Sequence, residues 1–394
     1  MFAGENYETF ISESKEHISG NKCELNTSRV FNNINENYLK SYADVEKSIE
    51  QLNYILQKPL EDLDLNLSRF DHTWTQKNGK LFWSVDYNNI IGDLQTIIWE
   101  NGPKTYYYNE NHYNHIWNEI GLFRFLKKEK LTFSEDAGIQ FFDADKIIVD
   151  DGKLLILGDE KTANRLGNGS INIFAVGIEQ IMNSLYDAEL YTEFLLNNKV
   201  NENSALHPVF YTPSAKNKDY LFIIDNMRSS VMSFKKQRQA LTCLHCGRCE
   251  KVCPVAQIAG NNAYNNIFSG PLANILLPHL ETPEEYKFVS YACILCGECE
   301  KVCPINLPLR EMILENRKYL VENKIITFSE NKELSKLRKF MLNRSKMNRS
   351  RVYKYVKYYR CSTKSLRKNR KHPSFEKQTF NQQYIKHLKE SKNI

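Results

Sequence analysis

Eight of the ten cysteines in this 394-residue chain fall into two copies of one pattern, C-x-x-C-x-x-C-x-x-x-C-P. The first copy is Cys243, Cys246, Cys249 and Cys253, followed by Pro254; the second is Cys293, Cys296, Cys299 and Cys303, followed by Pro304. This is the ligand run of a bacterial-type pair of [4Fe–4S] clusters, in which the fourth Cys of each run serves the other cluster. The pattern points to electron transfer before anything else in the chain is read.

Three Cys at intervals of three let a tightly turned loop aim its thiolates at three corners of one cube. The fourth, one helical turn further on and followed by Pro, points away to the partner cube. On this reading Cys243, Cys246, Cys249 and Cys303 hold one cluster, and Cys293, Cys296, Cys299 and Cys253 hold the other. Ligands interlaced in this way lock the two runs together and make cluster binding part of folding. Zinc sites use four ligands in C-x2–4-C pairs and give the third Cys and the trailing Pro no role. Disulfides need an oxidising compartment, and nothing in the chain suggests export. Gly247 and Gly297, each directly after a second Cys, suit backbone that lies close to a cluster, although an ordinary turn would also explain them.

The 39 residues from Pro254 to Ala292 are too many for the compact two-hairpin ferredoxin. Thr282-Pro283-Glu284-Glu285 reads as a helix start with Pro at the first helical position. After Pro304, Leu309, Ile313, Leu320 and Ile325 recur at mostly helical intervals. The cluster region therefore reads as all-helical, each cluster loop leading into a helix.

The chain is long enough for two domains, and its 42% apolar and 12% aromatic content argue for folded protein over most of it. No apolar run reaches the length of a membrane-spanning helix, and Met1 to Glu16 lacks the pattern of a secretory signal. The expected compartment is a reducing cytoplasm, where Cys23 and Cys361 are incidental thiols. Charge is unevenly placed. Residues 331–394 hold 20 Lys or Arg against 3 Glu, a net of +17, whereas residues 1–330 carry 33 basic and 44 acidic residues, a net of −11. The tail includes Arg349-Ser350-Arg351 and Lys364 to Lys371, interleaved with Tyr353, Tyr355, Tyr358 and Tyr359. It could meet nucleic acid, an anionic membrane surface or an acidic partner. With no nucleic-acid motif beside it, it reads as a solvated or partner-facing extension.

Residues 1–59 look helical and polar, with an apolar stripe through Val45, Ile49, Leu52 and Ile55. From Gly79 the texture alternates. Lys80 to Ser84 predicts a strand and Asn88 to Asn101 a helix; Ile147 to Val149 and Leu154 to Leu157 predict strands around a turn at Asp150-Asp151-Gly152. Ile171 to Val176 and Tyr220 to Asp225 read as buried strands, Ile178 to Leu185 as the start of a turn or helix, and Asp187 to Leu196 as a helix. Strands separated by helices imply an α/β layer with a largely parallel sheet. Gly167-Asn168-Gly169 lacks the setting of a dinucleotide fingerprint, and His72, His112, His115 and His207 are too scattered to argue for catalysis. No catalytic residue is assigned.

The chain resembles the B-type iron–sulfur subunit of the bacterial L-lactate utilisation family over roughly residues 60–330. The resemblance is strongest from Leu221 through Asp225-Asn226-Met227-Arg228-Ser229 into the first Cys run, then through Ser269-Gly270-Pro271-Leu272 and Leu277-Pro278 to Leu295-Cys296-Gly297 and Cys303-Pro304-Ile305. Upstream, Lys77 to Trp83, Asp136 to Ile139, Asp151 to Leu154 and Ala175 to Glu179 look like strands and turns of the family's N-terminal domain. The cysteine runs alone would also fit the C-type subunits of heterodisulfide reductase or anaerobic glycerol-3-phosphate dehydrogenase.

The resemblance implies an isomerase-like α/β domain with a mixed or parallel sheet at 60–230, after a helical segment at 1–59. An all-helical two-[4Fe–4S] ferredoxin domain follows at 231–330, then the basic extension at 331–394. It implies an electron-relay subunit rather than a complete enzyme, working in L-lactate oxidation to pyruvate with a cysteine-rich A-type and a C-type subunit. The chain departs from the family in being short between Trp99 and Asp136, in its Val149 to Gly152 and Glu160 to Arg165 segments, and in carrying Met227 where Gly is usual. These departures leave a small-molecule pocket in that domain unsupported. Arg228 and Asp225 are expected either to pin the domain junction beside the first cluster or to form a surface ion pair or strand cap.

Overall fold

Strands that are apolar on both faces dominate the middle of the chain, and such strands belong in a sheet covered on both sides. In the computed structural model they form one. The structure describes residues 9–10, 12–14, 45–85, 87–109, 116–166, 171–198, 207–264, 266, 268–325, 328–349, 378 and 380–391. The readings placed on Cys23, Cys361, His112, His115, Gly167 to Gly169 and the basic stretch beyond Arg349 lie outside these residues, as does most of the segment before Val45.

The chain enters through α1 (Val45–Glu61) and α2 (Leu63–Gln76), followed by β1 (Lys80–Ser84), α3 (Tyr87–Asn101) and β2 (Thr105–Asn109). Helices α4 (Ile116–Glu119) and α5 (Leu122–Lys128) precede β3 (Thr132–Phe133), β4 (Ile139–Asp143), β5 (Lys146–Ile148) and β6 (Lys153–Gly158). Then come α6 (Glu160–Leu166), β7 (Ile171–Gly177), β8 (Ile181–Met182), α7 (Leu185–Asn198), β9 (His207–Tyr211) and β10 (Lys218–Ile224). Six strands in the order β1-β10-β7-β4-β2-β3 pair in parallel throughout. The other four form a separate sheet, β8-β5-β6-β9, in which β6 runs antiparallel to both β5 and β9. This second sheet was not legible in the sequence. The reading of Ile178 to Leu185 as turn or helix is also refined, because the short strand β8 intervenes before α7.

Side-chain alternation along the strands builds the layers. On one face of the parallel sheet, Phe141, Ile173 and Phe222 pack under α3, α4 and α5, with Leu94 and Trp117 fully buried. On the other face, Phe142, Phe174 and Leu221 meet Phe70 and Trp74 of α2 and the inner face of the small sheet, Ile147, Leu154 and Ile156. The outer face of that small sheet, Ile148, Leu155 and Leu157, opens a third core. There it packs with Leu52 and Leu56 of α1, with Tyr191 and Phe194 of α7, and with residues flanking the cysteine runs, among them Leu241, Leu276, Val289 and Ile313. Hydrophobic packing therefore continues from the small sheet into the cysteine-bearing region.

That region holds helices and turns only: α8 (Arg228–Ser233), a 3₁₀ turn at Gln237–Thr242, α9 (Arg248–Lys251), α10 (Pro254–Ala259), a second 3₁₀ turn at Asn261–Tyr264, α11 (Gly270–Leu280), α12 (Pro283–Ala292), α13 (Glu298–Lys301) and α14 (Leu309–Glu322). Pro283 sits at the first helical position of α12, as the sequence predicts. The described residues from 321 onward belong to a separate unit, with helices α15 (Phe328–Met341), α16 (Arg344–Arg349) and α17 (Phe380–Ser391). Among the described residues no helix is long and apolar enough to cross a membrane.

The β5–β6 turn depends on Gly152. Its φ is +53°, and a Cβ there would lie 2.5 Å from Thr73 Cγ2 on α2. Left-handed strain and the clash act together, so Gly152→Ala should lower unfolding stability by about 2 kcal/mol. A denaturation midpoint unchanged from the parent would contradict this.

Candidate metal centre

Each cysteine run is built from the same backbone sequence of turns. The first opens where the 3₁₀ turn ends at Cys243 and the second where α12 ends at Cys293. Two residues on, His245 (φ 52°) and Leu295 (φ 58°) occupy the left-handed region. Gly247 (φ 75°) and Gly297 (φ 81°) do so again, directly before α9 and α13. Two reversals in five residues curl each loop inward, which is what places three sulfurs around one point. The third Cys of each run, Cys249 or Cys299, lies on the short helix that follows.

The fourth cysteines leave their own loops. A small cavity is lined by Cys243, Cys246, Cys249 and, from the second run, Cys303. A second small cavity is lined by Cys293, Cys296, Cys299 and, from the first run, Cys253. All eight sequence-predicted residues thus gather in two crossed quartets. After Cys253 the chain enters α10 with Pro254 at its start. After Cys303 it makes a turn instead, with Asn306 at φ 53°, and α1 holds that turn through Asn53 Nδ2 donating to Ile305 O at 3.1 Å.

The donor set fits a polynuclear cluster. Among the described residues no three Cys, His, Asp or Glu side chains converge as ligands of a single ion. The sulfurs ring a space, whereas a zinc site draws four ligands to one centre. Backbone N–H groups of His245, Leu295 and Leu307 donate to the sulfurs of Cys243, Cys293 and Cys303 at 3.4, 3.3 and 3.3 Å, and such donors favour the thiolate. Burial works the other way. It pushes Cys299 up to about 12, with Cys253 and Cys293 adding to the effect, and Cys303 up to about 11. Thiols held together out of water ionise as a set only when positive charge sits among them, and an iron–sulfur core supplies that charge. The two quartets differ in exposure: Cys296 is exposed and its neighbour Ile294 is 64% exposed, while Leu244, at the matching place in the first run, is buried.

A buried polar knot holds the scaffold between the runs. Pro278 within α11 has no N–H, so the carbonyl of Asn274 loses its helical donor. That carbonyl accepts instead from Ser290 Oγ on α12 at 3.0 Å and from Asn316 Nδ2 on α14 at 3.2 Å. Asn316 Nδ2 also reaches Ile275 O at 2.8 Å. Its oxygen takes Gln237 Nε2, just before the first run, at 2.8 Å and stands 2.8 Å from His279 Nε2. Arg317, one residue on, donates to Ser290 O at 2.9 Å and Cys293 O at 2.6 Å. None of this was legible in the sequence beyond the odd placement of a proline inside an apolar helix.

Arg228 is not at the surface. It is 2% exposed, and its guanidinium bonds Glu119 through two nitrogens, at 3.0 and 2.7 Å, and Glu179 at 2.9 Å. Burial disfavours its charge, and the two glutamates outweigh that and hold it above its ordinary range. Of the alternatives the sequence left open, an ion pair with Asp225 does not form between side chains; the Asp225 carboxylate accepts from Ser229 N at 2.7 Å and Ser229 Oγ at 2.6 Å, capping α8. Met227 adopts φ 66°. Lys146, on β5, was not singled out from the sequence. It is buried, and burial pulls it down to about 8 while Glu179, Asp145 and Cys243 act to keep its charge. His72 meets Gln76 one turn on along exposed α2, and His207 opens β9 at the surface.

Residues 239–307 match the family model described as a 4Fe-4S dicluster domain. The chain thus carries a parallel α/β region followed by a 4Fe–4S dicluster domain. It is similar to lactate utilization protein B of Shouchella clausii (strain KSM-K16), with 28% identity over 215 residues, covering 52% of this chain and 44% of that one. Lactate utilization protein B of Bacillus thuringiensis (strain Al Hakam) is 25% identical over 206 residues, 50% of this chain and 43% of that one. Over about half its length the chain is similar to lactate utilization protein B, in line with the sequence resemblance, and it spans less than half the length of these curated proteins. A DUF162 family protein from Deinococcus radiodurans, 12% identical, overlaps 41% of this chain and 98% of its own with a TM-score of 0.29, too loose a likeness to carry an argument.

Asn316 makes its bonds in the dry core between α11, α14 and the first run, so Asn316→Ala should cost about 2–4 kcal/mol. The same variant should bind iron less firmly on gel filtration; full stability and full iron retention would show the knot to be dispensable.

Proposed function

We propose that this protein is an electron-transfer subunit with two [4Fe–4S] clusters, acting in the oxidation of L-lactate to pyruvate. Cys243, Cys246, Cys249 and Cys303 would hold one cluster, and Cys293, Cys296, Cys299 and Cys253 the other. The observation that carries the reading is the crossed grouping of the eight cysteines around two cavities. Each cluster supplies a one-electron carrier, and the protein tunes it through hydrogen bonds to sulfur, burial and nearby charge. The residues here supply all three: His245, Leu295 and Leu307 donate to sulfur, the core around Leu241 and Ile313 excludes water from one side, and charged groups approach Cys243 and Cys293.

Similarity to lactate utilization protein B supports lactate as the electron source. That oxidation releases two electrons, and two one-electron carriers can accept them in turn. We read the chain as a subunit and not a complete enzyme, partnered by cysteine-rich A-type and C-type subunits, in the cytoplasm, with the basic tail available to a partner or to an anionic membrane surface. The domain plan that suits this role is an isomerase-like α/β domain at 60–230, an all-helical two-cluster ferredoxin domain at 231–330 and an extension from 331. A cluster subunit for another dehydrogenase, such as one for glycerol 3-phosphate, would use the same cysteines. Loss of growth on L-lactate, and not on glycerol, when the gene is deleted separates the two.

Anaerobic reconstitution should give about eight iron atoms per chain. Cys303→Ala should damage the cluster held by the first run and leave the second run's intact, as seen by EPR of the reduced protein. Damage confined instead to the second run's cluster would refute the crossed assignment.

A further inference from the structure

The two cysteine quartets meet the surface differently. The leucine and isoleucine side chains that wall the first cavity, Leu244, Leu272, Ile305, Leu307 and Leu309, are all buried. The wall of the second cavity includes Ile294, 64% exposed, together with Leu295 and Arg310. Of the eight clustered cysteines, Cys296 in this second quartet is the exposed one. Leu295 and Arg310 also line a surface groove, which takes in Pro308 and the exposed Leu314. Apolar surface thus continues from this groove to the mouth of the second quartet.

The acidic side chains near the groove are already engaged. Glu311 pairs with Lys236, Glu298 with Lys301 at 2.7 Å, and Glu315 with Lys318 at 2.9 Å. Glu300 accepts from the backbone N–H of Arg310 at 2.7 Å, and its other oxygen stands 3.7 Å from Arg310 Nε. Among the described residues the two Nη nitrogens of Arg310 have neither a hydrogen-bond nor an ion-pair partner. A Cβ at Gly297 would lie 3.7 Å from Nη1, so the guanidinium rests against the turn between Cys296 and Cys299. An apolar centre with a charged rim is the anatomy of a protein contact surface, and arginine is favoured there. A cation left open on such a surface is complementary to a carboxylate on the partner. Electron transfer between proteins weakens steeply with the separation of the carriers, so exchange runs through the centre nearest the surface.

We propose that the groove between Arg310 and Leu314 docks the acidic face of a one-electron carrier protein, and that the cluster held by Cys293, Cys296, Cys299 and Cys253 is the port for its electrons. In each encounter the reduced cluster loses one electron and the carrier gains it, with no bond or proton moved. Redox encounters of this kind use small contact areas, which a single groove can supply. The inference rests on the two-cluster reading above. The first cluster, walled by buried side chains, then reaches this carrier through the second.

The test takes the full chain, reconstituted anaerobically, reduced with dithionite and freed of excess reductant. In stopped flow it is mixed with oxidised plastocyanin, an acidic one-electron carrier, or with cytochrome c, a basic one. EPR of the reduced parent comes first: fewer than two clusters there would defeat the two-cluster reading itself. Given two, Arg310→Glu should slow plastocyanin reduction about tenfold at low ionic strength and should not slow cytochrome c. Arg310→Lys, which keeps the charge, should retain the parental rate, as should Lys216→Glu, a charge reversal in the loop between β9 and β10. A parental plastocyanin rate in an Arg310→Glu protein with full iron content would overturn the proposal, and so would equal slowing by Lys216→Glu. Binding to phosphatidylglycerol vesicles that Arg310→Glu abolishes, with the plastocyanin rate unmoved, would overturn it in favour of a membrane surface. If the glutamate variant fails to assemble, Leu314→Glu is measured in its place, and a parental rate there overturns the proposal equally.

Discussion

Each quartet of sulfurs in this protein is completed from the other side. Cys303 leaves the second run to join Cys243, Cys246 and Cys249, and Cys253 leaves the first to join Cys293, Cys296 and Cys299. Neither loop can then be correct unless the other is, and the segment between them must hold a fixed span. That requirement explains why every residue of α11 is buried, and why the carbonyl freed by Pro278 is answered by Ser290 and Asn316 and not left to water. A proline that would weaken an isolated helix becomes a junction between three helices.

The same logic extends into the α/β region. The small sheet is a wall with two apolar faces. One closes the core under the parallel sheet, and the other closes the core beside the first quartet. Charge follows the same route: Glu119, Arg228 and Glu179 form a buried chain at the ends of β7 and β10. In a low-dielectric interior such charges interact far more strongly than they would in solvent. The α/β region is thereby coupled to the cysteine-bearing region electrostatically as well as by packing.

Strands with strong apolar runs were readable in the sequence, as at Lys80 to Ser84, Ile171 to Val176 and Tyr220 to Asp225. Those that escaped are instructive. Thr105 to Asn109 carries three tyrosines and Ile139 to Asp143 breaks its apolar residues with Gln140, so neither shows a clear period, and both are strands because the parallel sheet pairs and buries them. The hairpin at Ile147 and Leu154 was visible, yet its membership in a second sheet was not, because alternation reveals two faces without saying what each will meet. Arg228 could be flagged as notable, but its partners Glu119 and Glu179 lie 109 and 49 residues away in sequence.

By itself the sequence determined the cysteine spacing, the left-handed glycines, the helix starts at proline and the β-strand runs, since each of these is set by covalent geometry and near-neighbour chemistry. Only the tertiary structure decided that Asn316 is a hub, that Asp225 is a cap and not an ion-pair partner, and that Lys146 is enclosed in the interior. The reason is that burial and partnership depend on which distant segments arrive at the same place. A lysine in a strand is an ordinary surface residue until another part of the chain closes over it.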